Sequence, residues 1–154
     1  MRWFKIAAAA CLGFTAACTP GAPSAPNNAL QAGTVVIHLS LGKYAAQTQY
    51  GTLGGYSPNP LVIARGSVIQ FVNDDNFDHT ASSVGQSGFP AVGPPGTAIA
   101  QSGTDLAQPN WSTGDLKGGS ASQSLSASQP GTYYFGCLFH FNSQTPMRGV
   151  IVVQ

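Results

Sequence analysis

The 154-residue sequence predicts an all-β sandwich, and three observations carry that expectation. Glycine (19) and proline (11) punctuate the chain at short intervals, as turns between strands require. The runs between them are short and alternate apolar with polar residues, which is the period of a half-buried strand. No amphipathic helical pattern and no internal repeat is present in the body of the chain. About seven to eight strands in two layers are expected. Charged residues are only 7% of the chain, the net charge is +1, and all five acidic residues are Asp. Such a surface offers no basic face for nucleic acid and no acidic tract for cations.

The elements follow in order. TVVIHLS (34–40) places Val35, Ile37 and Leu39 on one face and Val36, His38 and Ser40 on the other, so His38 is expected at the surface. Residues 42–60, rich in Gly and Tyr and closed by SPNP, read as loop. LVIARGSVIQFVN (61–73) reads as two strands broken at Arg65-Gly66, and HTASSV (79–84) as another. Residues 85–110 have no sustained period and much Gly and Pro, so they read as a long irregular insertion. SASQSLSA (120–127) alternates weakly. GTYYFGC (131–137) is a strong strand after a Pro-Gly turn, and MRGVIVVQ (147–154) is the last. Phe71, Tyr133, Phe135 and Ile151 are the expected core.

The N-terminus reads as an export signal over residues 1–17. Arg2 and Lys5 supply a positive start, and IAAAACLGFTAA is an apolar run too short to span a bilayer comfortably. Ala16 and Ala17 before Cys18 resemble the lipobox of bacterial lipoproteins, with Thr15 where that motif usually has Leu. The resemblance implies acylation at Cys18 and an exported protein, periplasmic or at the cell surface. Residues 18–32 form a Pro-rich tether, and the domain runs from 33 to 154. Cleavage before Cys18 leaves four Lys and Arg against five Asp, a net charge of −1. It also leaves Cys137 as the one thiol besides Cys18, so no disulfide is expected within the acylated chain.

Cys137 is where the chemistry gathers. Tyr133, Phe135 and Cys137 share the inward face of their strand, which points the thiol into the end of the core. His140 follows three residues later across a turn, so both side chains reach one centre. Met147 opens the final strand and can look back at the same point. FVNDDNFDHT (71–80) ends a strand at Asn73, passes through an Asp/Asn loop and brings in His79. Asp74, Asp75 and Asp78 read as turn formers and solvated charges; Asn76 or Asp78 is the expected brace for the loop carrying His79. One thiolate, two imidazoles and a thioether are the donor set of a type 1 copper site.

These segments resemble the cupredoxin family on its plastocyanin and pseudoazurin side. QFVNDDNFDHT is similar to the family's strand, Asn, loop and His. WSTGDLKGGSASQSL (111–125) resembles the stretch ahead of the Cys strand. PGTYYFGCLFH is similar to the strand ending in Cys-x-x-His, and MRGVIVV to the Met-x-Gly start of the last strand. The resemblance covers residues 33–154 apart from 85–110. It implies a Greek-key sandwich holding one copper ion on His79, Cys137, His140 and Met147. The implied function is a one-electron carrier that transforms no substrate. Its redox partners would dock transiently on an apolar patch of Leu138, Phe139, Phe141 and Pro146 around His140. The protein is expected to be a monomer whose only link to a membrane is the lipid at Cys18. Three departures stand out. Six residues separate His140 from Met147 where the family usually has about four, Thr80 replaces a frequent Asn, and Phe139 replaces a Pro. Two other functions use the same donors: copper storage, delivery or sensing, and a Cys-His₂ zinc site. An oxidase or nitrite reductase needs further copper sites marked by His-x-His pairs, and the sequence has none.

Overall fold

The computed structural model describes residues 30–154 except Tyr44. The expected export signal, Cys18 and the tether up to residue 29 lie outside the described residues, as does Tyr44. The strands are β1 (Thr34–Leu39), β2 (Ala46–Thr48), β3 (Gly51–Leu53), β4 (Tyr56–Ser57), β5 (Leu61–Ile63) and β6 (Val68–Asn73) in the first half. The second half adds β7 (Ser82–Gly85), β8 (Gln101–Ser102), β9 (Ser112–Thr113), β10 (Leu125–Ser126), β11 (Gly131–Gly136) and β12 (Arg148–Val153). Among the described residues these twelve segments exceed the seven to eight expected because seven of them are only two or three residues long, too short to leave an alternating signature.

Two main sheets form the sandwich. One is four-stranded in the order β10-β6-β1-β4, and the other six-stranded in the order β5-β12-β11-β7-β9-β8. Both are mixed: β1 runs parallel to β6 from Thr34↔Val68 to Leu39↔Asn73, and β12 runs parallel to β5, whereas β11 is antiparallel to both β12 and β7. β4 and β5 are consecutive yet lie in different sheets, so the Ser57–Leu61 corner carries the chain across the sandwich.

The alternation in β1 and β6 is realised in the burial. Ile37, Leu39, Ile69 and Phe71 point inward from one sheet, and Tyr133, Phe135, Ile151 and Val153 from the other. Each such side chain contributes about 1.5–3 kcal/mol on leaving water. The middle of the core is aromatic. Phe135 meets Phe71 edge-on at 5.4 Å and Tyr56 at 4.7 Å, while Trp111 stacks on Phe71 at 6.0 Å and 24°.

Several segments differ from the sequence expectation. Residues 42–60 are not all loop: β2 and β3 form a hairpin, and β4 pairs with β1 through Leu39↔Tyr56. That pairing buries Tyr56 completely, which its Gly-rich surroundings do not signal. The weak strand at 120–127 is only β10, paired to β6 at Leu125↔Ile69. The strand expected from His79 begins at Ser82, while His79 makes a single bridge to Leu116. Residues 85–110 contain a 3₁₀ turn (Gly96–Ile99) and the edge strand β8, which pairs with β9.

The in-step parallel pairing of β1 and β6 brings Leu39 and Asn73 to the same pole, where the Asp74 N–H donates to the Leu39 carbonyl at 2.9 Å. β11 delivers its last residue, Gly136, opposite Ser82 of β7 and Arg148 of β12. His79, Cys137 and Met147 each lie one to three residues from one of those ends.

Candidate metal centre

Cys137, His79 and His140 converge. The Cys137 Sγ lies 3.8 Å from the His79 Nδ1 and 3.5 Å from the His140 Nδ1. All three donor atoms fall within 4.8 Å of one another. A centre about 2.0–2.3 Å from each donor fits inside such a triangle. Cys137 and His79 are fully buried and His140 is partly exposed, so the group faces outward through His140 alone.

The His79 side is held by polar contacts. Its Nε2 is 2.8 Å from the Asp75 Oδ2. The Nε2–H therefore donates to the carboxylate, and the Nδ1 lone pair is left facing the sulfur. Asp75 is itself fixed by the Ser40 hydroxyl at 2.9 Å and the Leu41 N–H at 2.7 Å, both just past the end of β1. Burial works to raise the Asp75 carboxyl, but hydrogen bonds from His79, Leu41 and Ser40 outweigh it and hold the group below the usual carboxylate range. Asn73, completely buried, ties the loop from inside. Its Nδ2 donates to the carbonyls of Phe77 (2.7 Å) and Leu116 (2.9 Å), and its Oδ1 accepts the Asp75 N–H at 3.0 Å. The expected braces were Asn76 or Asp78. Asp78 instead pairs with Lys117 at 2.6 Å on the surface, because its position in the turn directs it away from His79.

Cys137 sits in a lattice of backbone donors. The Thr80 N–H points at the sulfur at 3.4 Å, and the Thr80 hydroxyl accepts the Leu138 N–H at 2.8 Å. The Thr80 carbonyl accepts the Tyr56 hydroxyl at 2.7 Å. Threonine at this position thus links the two donor segments with its side chain as well as its backbone. Burial pushes the Cys137 thiol up, with partial relief from the N–H groups of Thr80, Phe139 and His140. A metal binding here would have to displace that proton, which would make its uptake pH-dependent. Burial, and then the nearby charge of His79, lower the His140 pKa against the opposing pull of Asp75; this favours the neutral, ligating imidazole. Burial, and then the charge on Cys137, push the Tyr56 phenol well above its ordinary value, so it stays a donor.

Met147 lies immediately before β12, not within it. It is fully buried, its carbonyl accepts the Cys137 N–H at 3.1 Å, and its N–H donates to the His140 carbonyl at 3.1 Å. Gly55, at φ +74°, lies flush against the Met147 side chain, and any Cβ there would overlap it. Met147 is therefore fixed by backbone to both Cys137 and His140. Phe141, expected in the apolar patch around His140, is buried; the exposed apolar neighbours of His140 are Phe139 and Phe77, with ring centroids 6.3 and 6.1 Å away. Phe77 was missed because its sequence neighbours are Asn and Asp. His38 is exposed as expected and pairs with Asp74.

No protein-family model matches the chain, and no curated protein matches it in sequence. Solved structures are similar. A variant of amicyanin in its Cu(I) form is 20% identical, with 79% of this chain and 82% of that chain covered and a TM-score of 0.48. A purple cupredoxin from Nitrosopumilus maritimus is 21% identical, with 77% of this chain and 98% of that one covered and a TM-score of 0.47. Independently of those likenesses, two mixed β-sheets packed as a sandwich, with a His-Cys-His cluster at one pole and a buried Met hydrogen-bonded to it through the backbone, give this chain a cupredoxin-like fold with a candidate metal site of type 1 composition.

Proposed function

We propose that this protein would hold one copper ion on His79, Cys137 and His140, with Met147 as a fourth, weaker donor, and carry single electrons outside the cytoplasmic membrane. The observation that carries the reading is the convergence of one buried thiol and two Nδ1 atoms within 4.8 Å. When bound, copper supplies a one-electron couple between Cu(II) and Cu(I), and soft sulfur with imidazole accommodates both states. The residues around it favour a fixed arrangement. Asp75 locks the tautomer of His79, the Thr80 N–H holds the sulfur, and the core excludes water from both.

His140 is the port. Its partly exposed ring, beside Phe139 (45% exposed) and Phe77 (42%), gives an apolar rim suited to brief docking of redox partners. No substrate is transformed, and the protein acts as a monomer. A lipid at Cys18 and the Pro-rich tether keep the domain near membrane-bound partners in this reading. Copper storage or delivery uses the same donors, and it differs in releasing the metal to an acceptor, whereas a carrier keeps copper through repeated redox cycles.

The test is an optical spectrum of the oxidised, copper-loaded protein. A short Cu–thiolate bond gives intense red absorption and hence a blue colour. Colourless Cu(II)-loaded protein with its thiol intact overturns the type 1 assignment in favour of a storage or zinc role.

A further inference from the structure

Two features of the chain exceed the family resemblance: the 85–110 segment and the six residues between His140 and Met147. In the structure they meet. The Phe141 side chain lies between two glycines. A Cβ on Gly93 would come within 2.7 Å of it, and Gly136, the residue before Cys137, lies equally flush on its other side. Phe89 packs its ring against Phe141 at 6.0 Å. The Arg148 guanidinium covers both rings, 4.5 Å from the Phe141 centroid and 5.6 Å from that of Phe89. Arg148 also donates to the Phe141 carbonyl at 2.9 Å and to the Asn142 side-chain oxygen at 2.6 Å. Asn142 in turn donates to the Ala91 carbonyl at 3.0 Å.

We infer that residues 89–93 are a clamp on the ligand loop, a positioning element that holds the backbone carrying His140 and Met147. A loop of six residues closed only at its ends keeps considerable freedom, and ordering each residue costs conformational entropy. The clamp removes that freedom before metal arrives, so less ordering is left to the binding step. The opposite flank of the loop is closed by Gly54 and Gly55 against Pro146 and Met147. The lengthened loop and the inserted segment thus meet at Phe141 and Asn142, the two loop residues that residues 89–93 grip.

The test uses the full chain and reads the loop with and without metal; only the second arm rests on the copper reading. In metal-free protein, Phe89→Ala should raise amide hydrogen exchange across residues 138–146 about tenfold or more and leave β1 and β6 protected. In copper-loaded protein, transfer of Cu(I) to a chelator should accelerate by about the tenfold typical of a lost outer contact. Phe89→Tyr should restore both. Gly93→Ala should act in the same direction by displacing Phe141. Asn142→Ala removes two hydrogen bonds, to the Ala91 carbonyl and from Arg148, without emptying packed space, and serves if Phe89→Ala does not fold. Earlier melting with unchanged exchange at 138–146 overturns the inference, because Phe89 is then ordinary packing. Faster exchange with unchanged copper release also overturns it, because the clamp then does not reach the ligands. Wild-type protein that binds no copper defeats the proposed function, and the exchange arm still decides the clamp.

Discussion

Adjacent aspartates Asp74 and Asp75 each face a histidine, and the two pairs differ in almost everything but length. His38 and Asp74 are 3.0 Å apart with side chains 47% and 42% exposed; His79 and Asp75 are 2.8 Å apart with side chains 0% and 17% exposed. Asp74 faces outward beside β1, where water competes for both partners. Asp75 turns inward onto Ser40, Leu41 and His79, and the other nitrogen of that ring faces Cys137. The difference shows that proximity does not make an ion pair matter. Burial removes the alternative partners, and the free ring nitrogen then has a fixed direction and a task.

The inner site is broken most completely at the donor its two histidines share. Cys137→Ser should abolish the intense red band of the Cu(II) protein, even if the histidines retain some copper, because the thiolate is the origin of that transition; absorption spectroscopy checks this. Asp75→Ala comes next. It leaves the buried His79 Nε2 without a partner, at a cost of about 1–3 kcal/mol in denaturant unfolding. It should also weaken copper binding by about 10–100-fold in a competition titration.

The same residue sets a pH dependence. The folded carboxyl is held below its ordinary range, so its contribution to stability is fully present above the unfolded pKa of about 3.9 and is lost as pH falls through the lower folded value. Asp75→Asn should therefore flatten the acid limb of the stability curve below about pH 4. An unchanged limb removes Asp75 from the inner network.

Met147→Leu sharpens the comparison at the remaining candidate donor. The swap nearly conserves volume and should cost less than about 1.5 kcal/mol. Colour should persist and the reduction potential should rise by voltammetry, because a thioether that stabilises Cu(II) is lost. An unmoved spectrum and potential would make Met147 a core residue only. The smallest effect belongs to the outer pair: Asp74→Ala should change stability by no more than about 0.5 kcal/mol and leave copper affinity as it was. If it matches Asp75→Ala, the contrast between the two pairs fails.

The sequence by itself determined the sandwich and the three converging donors. Period-two alternation in 34–40, 68–73, 131–137 and 148–153 states which side chains face the core, and this is local information written residue by residue. Cys137 and His140 are close because only three positions separate them, and His79 follows a strand whose inward face was legible. Which aspartate braces His79 was decided only by the tertiary structure. Asp75 reaches Ser40 and Leu41 because β1 and β6 run parallel and in step to Leu39↔Asn73, and no feature of NDDNFD states that register. The same holds for Tyr56, buried by a two-residue pairing with β1, and for Phe141, which looks like surface apolar chain until Gly93 and Gly136 close on it. The physical reason is common to all three. Alternation and spacing report the direction of a side chain relative to its own strand, whereas its partner is fixed by strand register and loop packing between residues dozens of positions apart.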